Sequence, residues 1–295
     1  MDKKKHLLAP GHTACAGCGL SMGARMVVDA AGPNTMIANC TGCLEVFTTR
    51  YPQSAWEVPW VHSLFENSSA VGAGIEAALK AMGRDQEIRV IAQGGDGGTA
   101  DIGLQSLSGM FERGHDVLYI CYDNEAYMNT GVQRSSQTPF GTSTSTSPSG
   151  KVSLGNPTRK KNMAKIAVAH EIPYVATATV GFDMDLKNKV KKALSIRGPK
   201  YLHVLVPCPL GWKVESRLTI KIAKKAVTTG LFPLVEWENG KVTNVRKITP
   251  EPVTEYLKMQ GRFKHLFADT DEARAHLAGI QKYADENIET YGLKS

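Results

Sequence analysis

The chain has 295 residues, 42% hydrophobic and 21% charged, so it can bury a core as one large domain or two small ones and is not a disordered tail. Its net charge of +7 comes from 35 basic and 28 acidic residues. The basic clusters, such as Arg159-Lys160-Lys161 and the lysines at 221, 224 and 225, are short and not interleaved with aromatics; they read as solvated surface, with no nucleic acid expected.

In chain order, residues 1–10 carry an apolar step too short for a signal peptide, and the apolar runs at 117–121 and 202–207 are far short of a membrane span. A soluble cytoplasmic chain with no membrane partner is expected. Residues 35–39 read as a strand, 68–82 as a helix closed by Gly83, 88–92 as a strand and 102–113 as a helix ended by Gly114. Residues 117–122 are continuously apolar, as in a strand buried on both faces. A helix at 162–170, a strand at 174–178, a helix at 183–195 with an acidic start, and a strand at 200–206 follow. Strand and helix alternate, which predicts an α/β fold: a parallel sheet with helices on both faces and ligands beyond the carboxyl ends of the strands. Residues 132–157 are polar and aperiodic, a length of loop that is usually functional or mobile. Beyond Trp212 the pattern changes to a helix at 218–228, a hairpin at 234–245 turning at Asn239-Gly240, and a helix at 271–288. The expected organisation is one domain over 1–212 with a C-terminal extension over 213–295 that contacts other subunits.

The chemistry lies just after strands. One strand runs into Gly94-Gly95-Asp96-Gly97-Gly98 and another into Asp123-Asn124, with Asp96 and Asn124 28 positions apart, one strand–helix–strand unit. A carboxylate and an amide oxygen, beside glycines that let backbone approach closely, suit Mg²⁺ holding a diphosphate. On its own Gly-Asp-Gly is a common turn; the Asp-Asn pair after the next strand strengthens the reading.

Gly95-Asp96-Gly97 followed by Asp123-Asn124 resembles the signature of thiamine diphosphate enzymes. The continuation Asn124-Glu125-Ala126-Tyr127-Met128-Asn129-Thr130-Gly131 resembles the 2-oxoacid:ferredoxin oxidoreductases, and among them the β subunits of the pyruvate enzymes. The resemblance implies Asp96, the Asn124 side chain and the Ala126 carbonyl as Mg²⁺ ligands. It implies Gly95, Gly97, Gly98, Tyr127 and Thr130 around thiamine diphosphate, and Asn129 as a catalytic residue near the reacting carbon. Val132 stands where the family pattern leads one to expect a second glycine after Gly131.

The six cysteines, at 15, 18, 40, 43, 121 and 208, include two close pairs, Cys15/Cys18 and Cys40/Cys43, separated by 21 residues. By spacing alone the pairs fit a four-thiolate zinc site or an iron–sulfur cluster. The resemblance implies one [4Fe–4S] cluster on Cys15, Cys18, Cys43 and Cys208, with Gly211-Trp212 completing the last motif. Cys40 is then a nearby structural thiol and Cys121 a core residue. Thr41 and Cys43 also touch the cofactor on this reading. The resemblance spans residues 8–212, about seven-tenths of the chain.

What the resemblance implies is oxidative decarboxylation of pyruvate with coenzyme A to acetyl-CoA and CO₂, electrons leaving singly through the cluster to ferredoxin. Only the diphosphate-binding half of such a site is present here. An α subunit with the pyrimidine-binding domain and its activating glutamate is therefore expected, with γ and ferredoxin-like δ subunits. The alternatives are the same chemistry on 2-oxoisovalerate, 2-oxoglutarate, indolepyruvate or oxalate, and a zinc-stabilised binding module using Cys15, Cys18, Cys40 and Cys43. His62, Glu66, Trp56 and Trp60 read as packing or hydrogen-bonding residues rather than site residues.

Overall fold

A computed structural model describes residues 6–295; residues 1–5, with most of the charged start of the chain, lie outside the described residues. The chain forms α1 (Gly19–Ala31), β1 (Thr35–Asn39), α2 (Cys43–Thr48), β2 (Trp60–His62), α3 (Ser68–Ala81), β3 (Arg89–Gly95), α4 (Leu104–Glu112), β4 (Val117–Asp123), α5 (Met163–Val168), β5 (Tyr174–Thr179), α6 (Asp183–Ser195), β6 (Lys200–Leu205), α7 (Pro209–Trp212), α8 (Thr219–Thr228), β7 (Val235–Glu238), β8 (Lys241–Val245), α9 (Thr254–Leu257) and α10 (Asp271–Thr290). The strands make one sheet in the order β2-β1-β3-β4-β6-β5-β7-β8, with the first six parallel and the last two antiparallel. No helix among the described residues is long and apolar enough to cross a membrane.

β4 shows why the sheet is covered on both sides. All seven of its residues are buried. Leu118, Ile120 and Tyr122 pack with Leu20, Ala24 and Val28 of α1 and Leu186 and Val190 of α6. Val117, Tyr119 and Cys121 point the other way, into a core with Ala73 of α3, Leu107 and Met110 of α4, and Ala164 of α5. The period-two alternation of a strand thus serves two helical layers, which is why the run reads as continuously apolar.

Most predicted elements stand within a residue or two of their expected ends. The predicted helix at 102–113 differs. A π-helical turn, Gly98–Ile102, precedes α4, so the regular helix begins at Leu104. The extension does not hang off the domain. Its hairpin turns at Asn239 (φ 49°) and Gly240 (φ 79°), and β7 pairs antiparallel with β5, adding two strands to the sheet. Helices α8 and α10 share a third core with Leu205 and Trp212. The elements missing from the sequence reading are α1, α2, the short edge strand β2 and the one-turn helices α7 and α9.

The loop over 132–157 has no helix or strand, yet it is held down. Asn156 accepts from Arg134 and donates to the Thr138, Pro139 and Thr158 carbonyls, and Ser143 N–H donates to the Arg262 carbonyl.

Candidate diphosphate and metal site

β1, β3, β4 and β6 are consecutive neighbours, so the segments that follow them meet along one rim. β3 and β4 pair with Gly95 opposite Tyr122, which brings Asp96 beside Asp123-Asn124. A cleft at this rim is lined by residues 39–44, Phe65, residues 94–98, Tyr122, Asn124 and residues 126–130. Every residue expected at the cofactor is in that lining: Thr41, Cys43, Gly95, Asp96, Gly97, Gly98, Asn124, Ala126, Tyr127, Asn129 and Thr130.

Asp96 is 1% exposed, and Ser135 Oγ donates to its Oδ2. Burial, and then the neighbouring Asp123 carboxylate, push the Asp96 carboxyl well above the usual range. A cation at this point would hold it ionised. The Asn124 amide supplies a test of whether one fits. The amide atom that faces the site lies 2.8 Å from the Ala126 carbonyl oxygen and 3.0 Å from Asp96 Oδ1. With its nitrogen turned in, the amide donates to both; with its oxygen turned in, three oxygens converge and only a cation satisfies them. Ligands on an octahedral edge around Mg²⁺ stand about 2.9 Å apart, given metal–oxygen distances of about 2.0–2.1 Å. The oxygen set and its spacing therefore suit Mg²⁺.

Glu125, between Asn124 and Ala126, is 4% exposed with φ 70°, a left-handed conformation that side chains rarely adopt. It turns the chain so that the groups on either side of it face Asp96. Beyond it, residues 127–133 close a tight turn: Tyr127 N–H donates to the Gln133 carbonyl (2.9 Å) and Val132 N–H to the Tyr127 carbonyl (3.0 Å). Val132, which replaces the expected glycine, still takes the left-handed conformation, φ 63°. Val132 thus takes a backbone conformation that glycine would favour. Tyr127 stacks on Phe65 with ring centroids 5.8 Å apart and donates its O–H to Asp101 Oδ2 at 2.9 Å. Asn129 and Thr130 are exposed at the mouth.

The cysteines separate into two groups. Cys18 stands just before α1, Cys43 begins α2 and Cys208 caps α7. Gly19 N–H donates to the Pro207 carbonyl, and a Cβ at Gly19 would lie 2.6 Å from that oxygen, so only glycine lets the first pair approach Cys208 this closely. Burial, then the neighbouring Cys208, Cys18 and Cys15, push the Cys43 thiol up to about 12. Cys40 is apart from them: it is 2% exposed and donates to Ser68 Oγ at 2.9 Å. Cys121 is wholly buried in the strand. Among the described residues no three Cys, His, Asp or Glu side chains are grouped tightly enough to hold a single metal ion.

Several residues at the site escaped the sequence. Lys160 belongs to a cluster read as solvated surface; its ammonium instead turns inward to Asp123 and Glu125, while Arg159 and Lys161 remain near the surface. Burial would lower the Lys160 ammonium, but those two carboxylates outweigh it and push it up. Burial would raise Asp123, but Lys160 and His203 hold it down to about 2. His203 Nε2 lies 2.8 Å from Asp123 Oδ2, and its Nδ1 2.8 Å from the Tyr201 hydroxyl. Alternation on β6 carries no hint that His203 points to an aspartate. His62 meets the rim, its Nε2 2.8 Å from Thr41 Oγ1. Trp56 and Trp60 stack on each other, 6.1 Å between centroids, with Trp56 in the core.

Residues 40–204 match the family described as thiamine pyrophosphate enzyme, C-terminal TPP binding domain. The chain is 55% identical over 291 residues to the pyruvate synthase subunit PorB of Methanosarcina barkeri, covering 98% of both chains. It is 54% identical to the protein of that name from Methanocaldococcus jannaschii, again covering 98% of both. It is 48% identical to the ketoisovalerate oxidoreductase subunit VorB of Pyrococcus abyssi, covering 98% of this chain and 95% of that one. Among solved structures, a 2-oxoglutarate:ferredoxin oxidoreductase from Magnetococcus marinus matches with a TM-score of 0.58 and 19% identity, covering 93% of this chain and 96% of that one. The last match shows a shared fold.

Proposed function

The chain belongs to the thiamine pyrophosphate enzyme family, within its group of PorB and VorB oxidoreductase subunits, and on that premise we propose that it is the β subunit of a pyruvate:ferredoxin oxidoreductase. The reaction is the oxidative decarboxylation of pyruvate with coenzyme A to acetyl-CoA and CO₂, reversible as pyruvate synthesis, with electrons delivered to ferredoxin. When bound, thiamine diphosphate supplies carbanion stabilisation at the 2-oxo carbon and a [4Fe–4S] cluster accepts electrons one at a time.

This chain's own residues bind and orient. Asp96, the Asn124 side chain and the Ala126 carbonyl hold Mg²⁺, a reading supported by the 2.8 and 3.0 Å that separate the Asn124 amide from the Ala126 carbonyl oxygen and Asp96 Oδ1. Gly95, Gly97 and Gly98 admit the diphosphate close to backbone, and Tyr127 and Thr130 wrap it. Asn129, at the exposed mouth, orients the substrate, and Thr41 and Cys43 form the opposite wall. Cys15, Cys18, Cys43 and Cys208 hold the cluster, a role supported by the close approach of Gly19 to Pro207, which brings the first pair's segment to that of Cys208, and by the separate burial of Cys40. The mouth is completed by an α subunit that brings the activating glutamate, and γ and ferredoxin-like δ subunits carry electrons onward.

The observation that carries pyruvate is the identity of 54–55% to PorB subunits over nearly the whole chain. The 48% identity to a VorB subunit makes 2-oxoisovalerate the second reading. The test is anaerobic reduction of ferredoxin by the assembled complex with coenzyme A and each acid in turn. A kcat/KM at least about tenfold higher for pyruvate, some 1.4 kcal/mol of discrimination, is expected. A preference for the branched acid would transfer the assignment, and turnover of neither would refute it.

A further inference from the structure

We propose that Arg262, in the C-terminal extension, is a positioning residue for the metal-binding segment 124–126, acting through the Glu125 carboxylate and the Trp212 indole. This rests on the reading that Asp96, Asn124 and Ala126 hold Mg²⁺.

Glu125 is the strained link between Asn124 and Ala126, the two residues that supply ligands just after β4, and left-handed backbone at such a residue is disfavoured. Conformations of this kind persist where the surroundings over-determine them. Here they do so four times over. Glu125 N–H donates to Asp123 Oδ1 at 2.9 Å, and its carbonyl accepts from Thr138 Oγ1 at 2.8 Å. Its carboxylate takes Lys160 on Oε1 and Arg262 on Oε2.

Arg262 does more than pair. It is 2% exposed, and its guanidinium lies 3.9 Å from the centre of the Trp212 ring. The Trp212 indole N–H donates to the Asn124 carbonyl at 2.8 Å. The Arg262–Trp212 pair therefore holds both the Glu125 side chain and the peptide just before it. Gln260 fixes the guanidinium from behind, accepting from Nε at 2.8 Å. The same unit reaches the cysteine wall, since Trp212 N–H donates to the Cys208 carbonyl at 2.9 Å and Gly261 N–H to the Lys213 carbonyl at 3.1 Å. Arg262 lies 137 positions from Glu125 and outside the 40–204 region that matches the cofactor-binding family. The extension thus reaches back to set the loop that the cofactor-binding segment leaves strained. A lysine could supply the charge but not the planar stack.

The test is calorimetric titration of the assembled complex, stripped of cofactor anaerobically, with Mg²⁺ at fixed thiamine diphosphate. Arg262→Met is expected to raise the half-saturating Mg²⁺ concentration about tenfold or more, and Arg262→Lys several-fold. Ile248→Ala, in the extension where its backbone pairs with Leu293 and Ser295, should lower the melting temperature while leaving that concentration within about twofold of wild type. Glu125→Gln should reproduce the Arg262→Met effect, and the double variant should be little worse than either single one. If Arg262→Met does not assemble, Arg262→Lys and Glu125→Gln carry the comparison. The proposal is overturned if the arginine variants lose thermal stability but bind Mg²⁺ like wild type, or if the two substitutions multiply. A wild-type complex that takes up no Mg²⁺ and thiamine diphosphate would instead sink the reading beneath it.

Discussion

Gly97→Ala isolates a single steric contact at the cofactor cleft. Gly97 has φ −65° and ψ −44°, ordinary for alanine, so the backbone raises no objection. The obstacle is Tyr127: a Cβ at Gly97 would stand 2.3, 2.5 and 2.7 Å from three carbons of its ring. Carbon atoms pack at about 3.5–4.0 Å, so the ring must withdraw by about 1.2 Å or more. It cannot do so freely, since its hydroxyl donates to Asp101 and its face rests on Phe65. Losing the hydrogen bond costs about 1 kcal/mol and disturbing the stack about 0.5–1 kcal/mol. Both residues line the cleft, so the expected outcome is a ten- to thirtyfold loss of affinity for Mg²⁺–thiamine diphosphate, an energy of about 1.5–2 kcal/mol. Titration of the assembled complex measures it. Adding Tyr127→Ala removes the ring, so in that background Gly97→Ala should cost less than about 0.5 kcal/mol. An affinity within twofold of wild type for Gly97→Ala alone would refute the reasoning.

Three further outcomes are expected. Cys208→Ser should strip most iron from the anaerobically purified protein while Cys40→Ser keeps it; equal iron in both, or the reverse, counts against the cluster assignment. Burial would raise Glu236, but hydrogen bonds from Lys192, Tyr174 and Asn244 hold it down to about 2. Its stabilisation is therefore full above the unfolded value of about 4.3 and is lost as pH falls towards 2. Glu236→Gln, read by urea denaturation, should lower stability by about 1–2 kcal/mol at pH 7, allowing for the partly exposed lysine, and should flatten the decline below pH 4.5; an unchanged acid limb would contradict this. Val132→Gly relieves a left-handed β-branched residue at the entropic cost of glycine, so stability should change by less than about 1 kcal/mol in either direction. A loss of 2 kcal/mol or more in the same assay would show that the valine side chain, not the turn, is what matters there.

The sheet was legible because its strands are marked by physics that acts locally. β4 is apolar without interruption since it serves two cores, and the segments after β3 and β4 carry chemistry in residues whose types cannot be explained by packing. Helix α1 was missed although Leu20, Ala24, Val27 and Val28 recur at helical spacing. Its start lacks a side-chain cap, and two glycines at Gly19 and Gly23 weaken the pattern. β2 has only three residues and owes its extended form to pairing with β1, a partner that local sequence does not reveal. The candidate ligands were legible one motif at a time. What orients them was not. Lys160 looks like surface charge in any window of sequence, and Arg262 and Glu125 meet only because α8, the hairpin and α10 fold the extension back over the sheet.

The central claim is that this chain carries the diphosphate half of a thiamine site and an iron–sulfur cluster against the same wall. The most direct test is the iron, sulfide, magnesium and thiamine diphosphate content of the anaerobically purified protein, with its visible spectrum, for wild type and Asp96→Ala. The account predicts about four irons per chain in both, for a single cubane on four cysteines, with thiamine diphosphate present in wild type and absent from the variant. A colourless protein with one zinc and no thiamine diphosphate would contradict it.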